Sequence, residues 1–316
     1  MPAVLPVALL AVAALVVVLP VAVVSRRRLR TAAPAVPPAL AADAAVLGRR
    51  QRRRLTWALG TGAAAGLYGA GLQWGRPDLL GLPLLLAPIL TAATVLLVLL
   101  LAPAAGLRTV DPATRAADLT ERRPWSFASR WGLVLPASAT ALLLAYLALT
   151  ARRATPDDGG RMRAYTLNCP EAGAVATATP YPGGFYGVPL AIGVVVVVVL
   201  AALVLVRIAR RARLGGPDTF GLDNALRAAA SRTVLGVAAA GVLLPFGAVL
   251  ALAGGSTLGV VGNFGEECRA AAVTAGGWTQ SVAGLLLVVL GTGLAMAVPA
   301  TARTGLRPEP AAKEVR

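Results

Sequence analysis

Histidine is absent from the 316 residues. The absence removes the side chain that most often works as a general base near neutral pH, together with His-ligated zinc or haem and phosphohistidine chemistry. Two cysteines are too few for a four-cysteine metal cage within one chain. Lys313 is the single lysine, far from any glycine-rich G-x-x-x-x-G-K-[ST] phosphate loop, and the last apolar run holds no lysine for a retinal Schiff base. There is no G-x-S-x-G nucleophile elbow, and Arg213-Leu-Gly-Gly-Pro217 lacks the spacing of a dinucleotide fingerprint. Charged side chains make up 14% of the chain. That is about half to two-thirds of the usual globular share, and too few to cover a soluble surface of this size.

What is present is apolar: 57% of residues are hydrophobic and the mean hydropathy is +0.72. Such a composition excludes intrinsic disorder. It points to an all-α fold, a polytopic membrane helical bundle forming a single integral domain over 1–316. A span needs about 20 mostly apolar residues to cross a hydrocarbon core of about 30 Å. Seven stretches qualify, at about 3–24, 55–74, 79–102, 131–151, 186–206, 233–253 and 280–299. None has a charged side chain well inside its apolar run. The second is the least apolar, being rich in Gly and Ala and carrying Thr56, Thr61, Tyr68 and Gln73. The run Val194–Val199 is apolar all round and predicts a lipid-facing side.

The first stretch is followed, not preceded, by Arg26, Arg27, Arg28 and Arg30, and is longer than a signal-peptide core. It reads as a retained anchor with the N-terminus outside. Loops then alternate, with 25–54, 103–130, 207–232 and 300–316 inside and 75–78, 152–185 and 254–279 outside. Twenty-four of the 30 basic side chains fall inside and six outside, while the 14 acids divide eight and six. This asymmetry is the positive-inside signature and predicts a cytoplasmic C-terminus. Ala, Val, Leu, Gly and Arg dominate, residues with G/C-rich codons, which suggests a bacterial cytoplasmic (inner) membrane. No nucleic-acid partner is expected, because the arginines flank spans and no aromatic-interleaved basic platform exists. Arg26, Arg27, Arg28, Arg30, Arg49, Arg50, Arg52, Arg53 and Arg54 frame one inner loop and are candidate contacts for anionic lipid headgroups.

Cys169 and Cys268 both fall in outer loops, on the oxidising side where disulfides persist. Neither belongs to a C-x-x-C pair, so a structural bridge is expected in place of a redox role. Closing a loop of roughly 100 residues is worth at most about 4–5 kcal/mol in the chain-entropy model. The two loops contain Pro, Gly and aromatic residues, which predicts compact turns with minimal β structure. Tyr181, Phe185, Tyr186 and Trp278 are candidates for an outer aromatic belt. Glu171, Glu266 and Glu267 lie near the cysteines; clustered carboxylates can hold a hard cation, though solvated acids facing Arg161, Arg163 and Arg269 are the simpler account.

The segments 79–185 and 186–279 read as a tandem pair of hairpins. Ala128-Ser129-Arg130 recurs as Ala230-Ser231-Arg232, and Asp118…Arg122 as Asp223…Arg227, with Asp43…Arg49 a fainter echo. Asp and Arg four apart share a helix face, which predicts a short amphipathic helix at the inner surface before each span. The acids Asp111, Asp118, Glu121, Asp218 and Asp223 are scattered and read as caps or ion-pair partners. Pro20, Pro83, Pro88, Pro136 and Pro245 fall inside spans, where they kink helices and free carbonyls. Gly62, Gly66 and Ala70 form a small-residue stripe suited to helix packing, and Gly284 and Gly291 form a second.

No catalytic residue, cofactor or metal site is expected. The leading reading is a non-enzymatic scaffold or accessory subunit of a membrane complex, with another membrane protein as partner. The alternatives are a permease or channel component for a small neutral or lipid-like solute, using Thr61, Tyr68, Gln73, Thr91 and Thr94, and a membrane enzyme with an outward-facing acidic site.

Overall fold

In hydrocarbon each peptide group must find its partner within the chain, so an apolar run of 20 residues resolves as helix. A computed structural model describes residues 35–36, 41–102, 123, 125–169, 173–211, 220–263, 271–301 and 307–308. Six long helices follow in order: α1 (Ala41–Gly75), α2 (Leu82–Leu101), α3 (Arg130–Arg153), α4 (Gly184–Arg210), α5 (Phe220–Asn263) and α6 (Ala271–Thr301). The strands are β1 (Ala35–Val36), β2 (Thr155–Pro156), β3 (Met162–Cys169), β4 (Ala174–Ala178) and β5 (Arg307–Pro308). β1 pairs in parallel with β5, and β2, β3 and β4 form an antiparallel sheet. Five helices, α2 to α6, are long and apolar enough to cross a membrane. The chain is thus a multi-pass, mainly helical membrane protein. The stretch 55–74 is helical but lies within α1, whose glycines, threonines and Gln73 dilute its apolarity. The stretch 3–24 and Arg26, Arg27, Arg28 and Arg30 lie outside the described residues.

α5 is the axis. It has 44 residues and is 72% buried over its apolar window, whereas the other four apolar helices are 17–33% buried. At 1.5 Å per residue it is about 66 Å long, over twice the hydrocarbon thickness. The core around it includes Leu143, Leu190, Val194, Val197, Val242 and Val249, all fully buried. In the valine run of α4, Val194 and Val197 face this core while Val195, Val196, Val198 and Val199 are exposed, giving the lipid-facing side its pattern predicts.

Glycine sets the α5–α6 distance. A Cβ on Gly284 would stand 2.5 Å from the Gly247 carbonyl oxygen and 2.6 Å from the Ala251 nitrogen. The two backbones therefore touch, as they do again where Gly254 meets Gly277. On α1, Gly62 and Gly66 face Thr91 and Val95 of α2 in the same way, while Ala70 borders a cleft described below.

Several expectations are corrected. The described residues between α3 and α4 form a sheet, not a set of turns. Asp157 organises its first turn: its Oδ1 accepts from the backbone N–H of Gly159 (2.9 Å) and of Arg161 (2.8 Å), and its other oxygen pairs with Arg163. Thr155, Thr166 and Thr177 then share hydroxyl hydrogen bonds across the three strands. The sheet docks on the end of α5, where Ala176 and Cys169 bury against Val260 and the Ser256 hydroxyl donates to the Pro180 carbonyl at 2.6 Å. The expected outer loop 254–279 is largely helix, divided between α5 and α6. Tyr181 and Tyr186 are buried and do not form a belt: Tyr181 stacks on Tyr165, and the Tyr186 hydroxyl donates to the Leu80 carbonyl at 2.7 Å. Trp278 is exposed. Pro83 sits in the first turn of α2, where no hydrogen bond is lost, while Pro88, Pro136 and Pro245 are interior.

Two outcomes follow. Gly284→Leu should destabilise the detergent-solubilised protein by about 1–3 kcal/mol or more through overpacking, while Gly255→Ala, which meets open space, should be neutral; thermal melting compares them. The backbone N–H of Arg161 above all, then the Arg163 guanidinium, hold the Asp157 carboxyl below its usual range. A depressed carboxylate stabilises the fold above its unfolded pKa near 3.8 and loses that effect as pH falls through the lower folded value. The melting temperature of Asp157→Asn should therefore lie below wild type at neutral pH and converge with it under strong acid.

Candidate functional site

The end of the bundle opposite the sheet is built from helix termini and arginines. α2 and α4 both finish there, at Leu101 and Arg210, presenting the negative ends of their dipoles and unsatisfied carbonyls. Arg207 donates to the Ala102 carbonyl (2.7 Å) at the end of α2. Arg227 does more at the end of α4. Its Nη1 donates to the carbonyls of Ile208 and Ala209, both at 2.9 Å, and its Nη2 to that of Arg211 at 2.7 Å. Its Nε donates to Asp223 Oδ2 at 2.7 Å, and Arg211 binds the other Asp223 oxygen at the same distance. Arg227 and Asp223 are each 1% exposed. Phe127 covers the guanidinium, its ring centre 5.4 Å away.

The spacing Asp223…Arg227 does place both charges on one face, but not on a separate surface helix. They belong to the first turns of the continuous α5, and α4 folds its end over them. Asp43…Arg49 is likewise part of α1, and Asp118…Arg122 lies outside the described residues. The two Ala-Ser-Arg copies also differ. Ser129 caps α3, accepting from the Gly132 N–H at 3.0 Å, whereas Ser231 is buried in mid-helix.

Beside this corner is a cavity of about 330 Å³ between α1, α2, α4 and α5. Five arginines line it: Arg54, Arg207, Arg210, Arg211 and Arg227, against Asp223, the one adjoining carboxylate among the described residues. The guanidinium groups of Arg54 and Arg210 have no hydrogen-bond acceptor among the described residues. The buried Nε of Arg211 also lacks one. Burial first, then the charges of Arg211, Arg207 and Arg50, lower the pKa of Arg54 from the usual arginine value. A guanidinium is a planar fork matched to phosphate or carboxylate oxygens, so the cluster has the chemistry to hold an anion.

Of the candidate lipid-contact arginines, Arg54 enters this cavity, and Arg49, Arg50, Arg52 and Arg53 lie exposed on α1. Reading the sequence missed Arg207, Arg210 and Arg211 as site residues. Their cluster ahead of Asp223…Arg227 was the available signal.

A second cleft of about 560 Å³, almost wholly apolar, lies between α1, α2, α5 and α6 and is bordered by Gly66, Ala70, Pro88 and Thr91. Of the polar residues assigned to a solute path, Thr91 borders this cleft. Thr61 bonds its own helix, Tyr68 is exposed, and Gln73 accepts from the Gly81 N–H at 2.8 Å. At the sheet end Cys169 is buried and carries no free thiol. Cys268, Glu171, Glu266 and Glu267 lie outside the described residues.

No family model, curated protein or solved structure matches the chain.

A double-mutant cycle tests the corner. Asp223→Leu or Arg227→Leu alone should cost about 3–5 kcal/mol, because each breaks the buried ion pair, the first taking the carboxylate from Arg227 and the second leaving Asp223 with Arg211 alone, and the double substitution should recover part of that loss. Arg227→Lys should behave like a loss, since an ammonium cannot reach all four acceptors. Chemical denaturation in mild detergent reads all four proteins.

Proposed function

We propose that this is a non-enzymatic multi-pass protein of a bacterial cytoplasmic membrane, acting by association as a scaffold or accessory subunit of a larger membrane complex. In this reading it has seven spans, with α1 and the stretch 3–24 joining the five apolar helices. The N-terminus is outside, the sheet end is outer and the arginine end cytoplasmic. Cys169 is joined to Cys268, the one other cysteine, tying the sheet to the connection between α5 and α6.

The observation that carries the reading is a face of α1 that no described residue covers. One side of this helix packs on α2 through Gly62 and Gly66. The other leaves Gly60, Ala64 and Tyr68 exposed, with open space around Gly60 and Gly71. Small residues at such spacing allow close approach of another helix. The buried charges support it too: Asp223, Arg227 and Arg211 are committed to one another and to closing α4, so they serve architecture. The apolar cleft favours the second reading, a permease or channel component for a small neutral or lipid-like solute.

Purification at native expression level in mild detergent, with mass spectrometry of the co-purifying proteins, separates the two. A stoichiometric protein partner, lost on Ala64→Trp, is the expected result. Recovery of the chain without any protein partner would overturn association and leave the permease reading.

A further inference from the structure

The arginine cavity and the apolar cleft are two spaces whose linings follow one another along the same three helices. On α1 the lining passes from Gln51 and Leu55 in the cavity to Leu59, Ala63, Gly66 and Ala70 in the cleft. These positions are three to four apart, so they form one stripe on one helix face. The same continuation occurs on α2, from Leu99 to Val95, and on α5, from Val234 to Val237. From Arg54 to Ala70 the stripe rises about 24 Å, against about 15 Å for half of the hydrocarbon core. The two linings together are charged at one end and apolar along the rest.

We infer that the two spaces together are a binding site for one anionic glycerophospholipid, its phosphodiester at Arg54, Arg210 and Arg211 and an acyl chain along the cleft between α1, α2, α5 and α6. Charge complementarity selects the headgroup. Among the described residues five guanidinium groups face one carboxylate, and that carboxylate is already bonded to Arg211 and Arg227. Arg207 and Arg227 are occupied by helix-terminal carbonyls. Arg54, Arg210 and the Nε of Arg211 remain as donors without an acceptor among the described residues. A zwitterionic headgroup would bring an ammonium among these cations, so it should be disfavoured. The length of the cleft and its apolar lining select an acyl chain over a free phosphate or a small anion. Basic pockets between helix ends are a recurrent way of holding acidic lipid headgroups. The inference is independent of the association reading, since a lipid can be retained whether or not a protein partner is.

The test is native mass spectrometry of the full chain released from nanodiscs of equal phosphatidylglycerol and phosphatidylcholine. The expected result is one retained phosphatidylglycerol, about tenfold enriched over phosphatidylcholine. Arg54→Gln with Arg210→Gln should abolish the enrichment with helicity unchanged, because neither side chain supports another residue. Arg52→Gln with Arg53→Gln, on the exposed side of α1, should leave it intact; an equal loss in that control would reduce the effect to general surface charge and overturn the site. Displacement of the lipid by glycerol phosphate, which has no acyl chain, would overturn the role of the cleft. Phospholipid capture by a photoreactive side chain at Leu67 should fall when Arg54→Gln and Arg210→Gln are added; capture of the chain's own 3–24 segment in place of lipid would overturn the site.

Discussion

The guanidinium of Arg227 is the constraint on which the arginine end depends. An α-helix ends with carbonyls that need donors, and α4 ends between two other helices where solvent has little access. Arg227 meets three of those carbonyls from the neighbouring helix and anchors itself on Asp223. A buried ion pair alone is weak grounds for stability, because desolvation offsets attraction. Here the pair gains from the extra hydrogen bonds, which use the donors a lone Asp–Arg contact would leave idle. Because Arg211 joins the same carboxylate, the end of α4 and the start of α5 are fixed as one unit. The cavity beside them inherits its shape from that unit and its positive charge from the arginines left over.

The opposite end is held by different means. Neutral hydroxyls and one carboxylate turn fasten it: Ser256 of α5 holds the chain just after the sheet, and the Tyr186 hydroxyl of α4 holds Leu80, just before α2. Arg161 adds a hydrogen bond to the Asp78 carbonyl at 3.2 Å and lies over Phe185. No such contact is strong by itself, but they converge on the last turns of α5. One end is fastened by buried charge and the other by a small sheet pressed onto a helix tip.

Much of the helical frame was legible because its cause is local. Apolar runs of 20 residues have few alternatives in a membrane, so α2, α3 and α4 appear close to where hydropathy puts them. What was not legible depends on distant partners. The strands of two, eight and five residues are short, and their stability comes from Val260 and Ser256, roughly 80–100 residues away in sequence. The spacing of Asp223 and Arg227 was readable, but their burial was not, since it is created by the end of α4. The arginines of the cavity could each be explained as topology markers. Their convergence arises only where four helices meet.

The length of α5 has a mechanical consequence. It is a single helix with the ion-pair corner near one end and the sheet contacts near the other, so a twist applied at either end is transmitted along a common backbone. Its hydrogen-bond ladder is interrupted at Pro245, which offers no N–H to the carbonyl of Gly241. That break lies at the level of the apolar cleft, which Gly241 helps to line. The longest helix of the bundle thus has its compliant joint beside an apolar cleft, and torsion between the two ends is concentrated there.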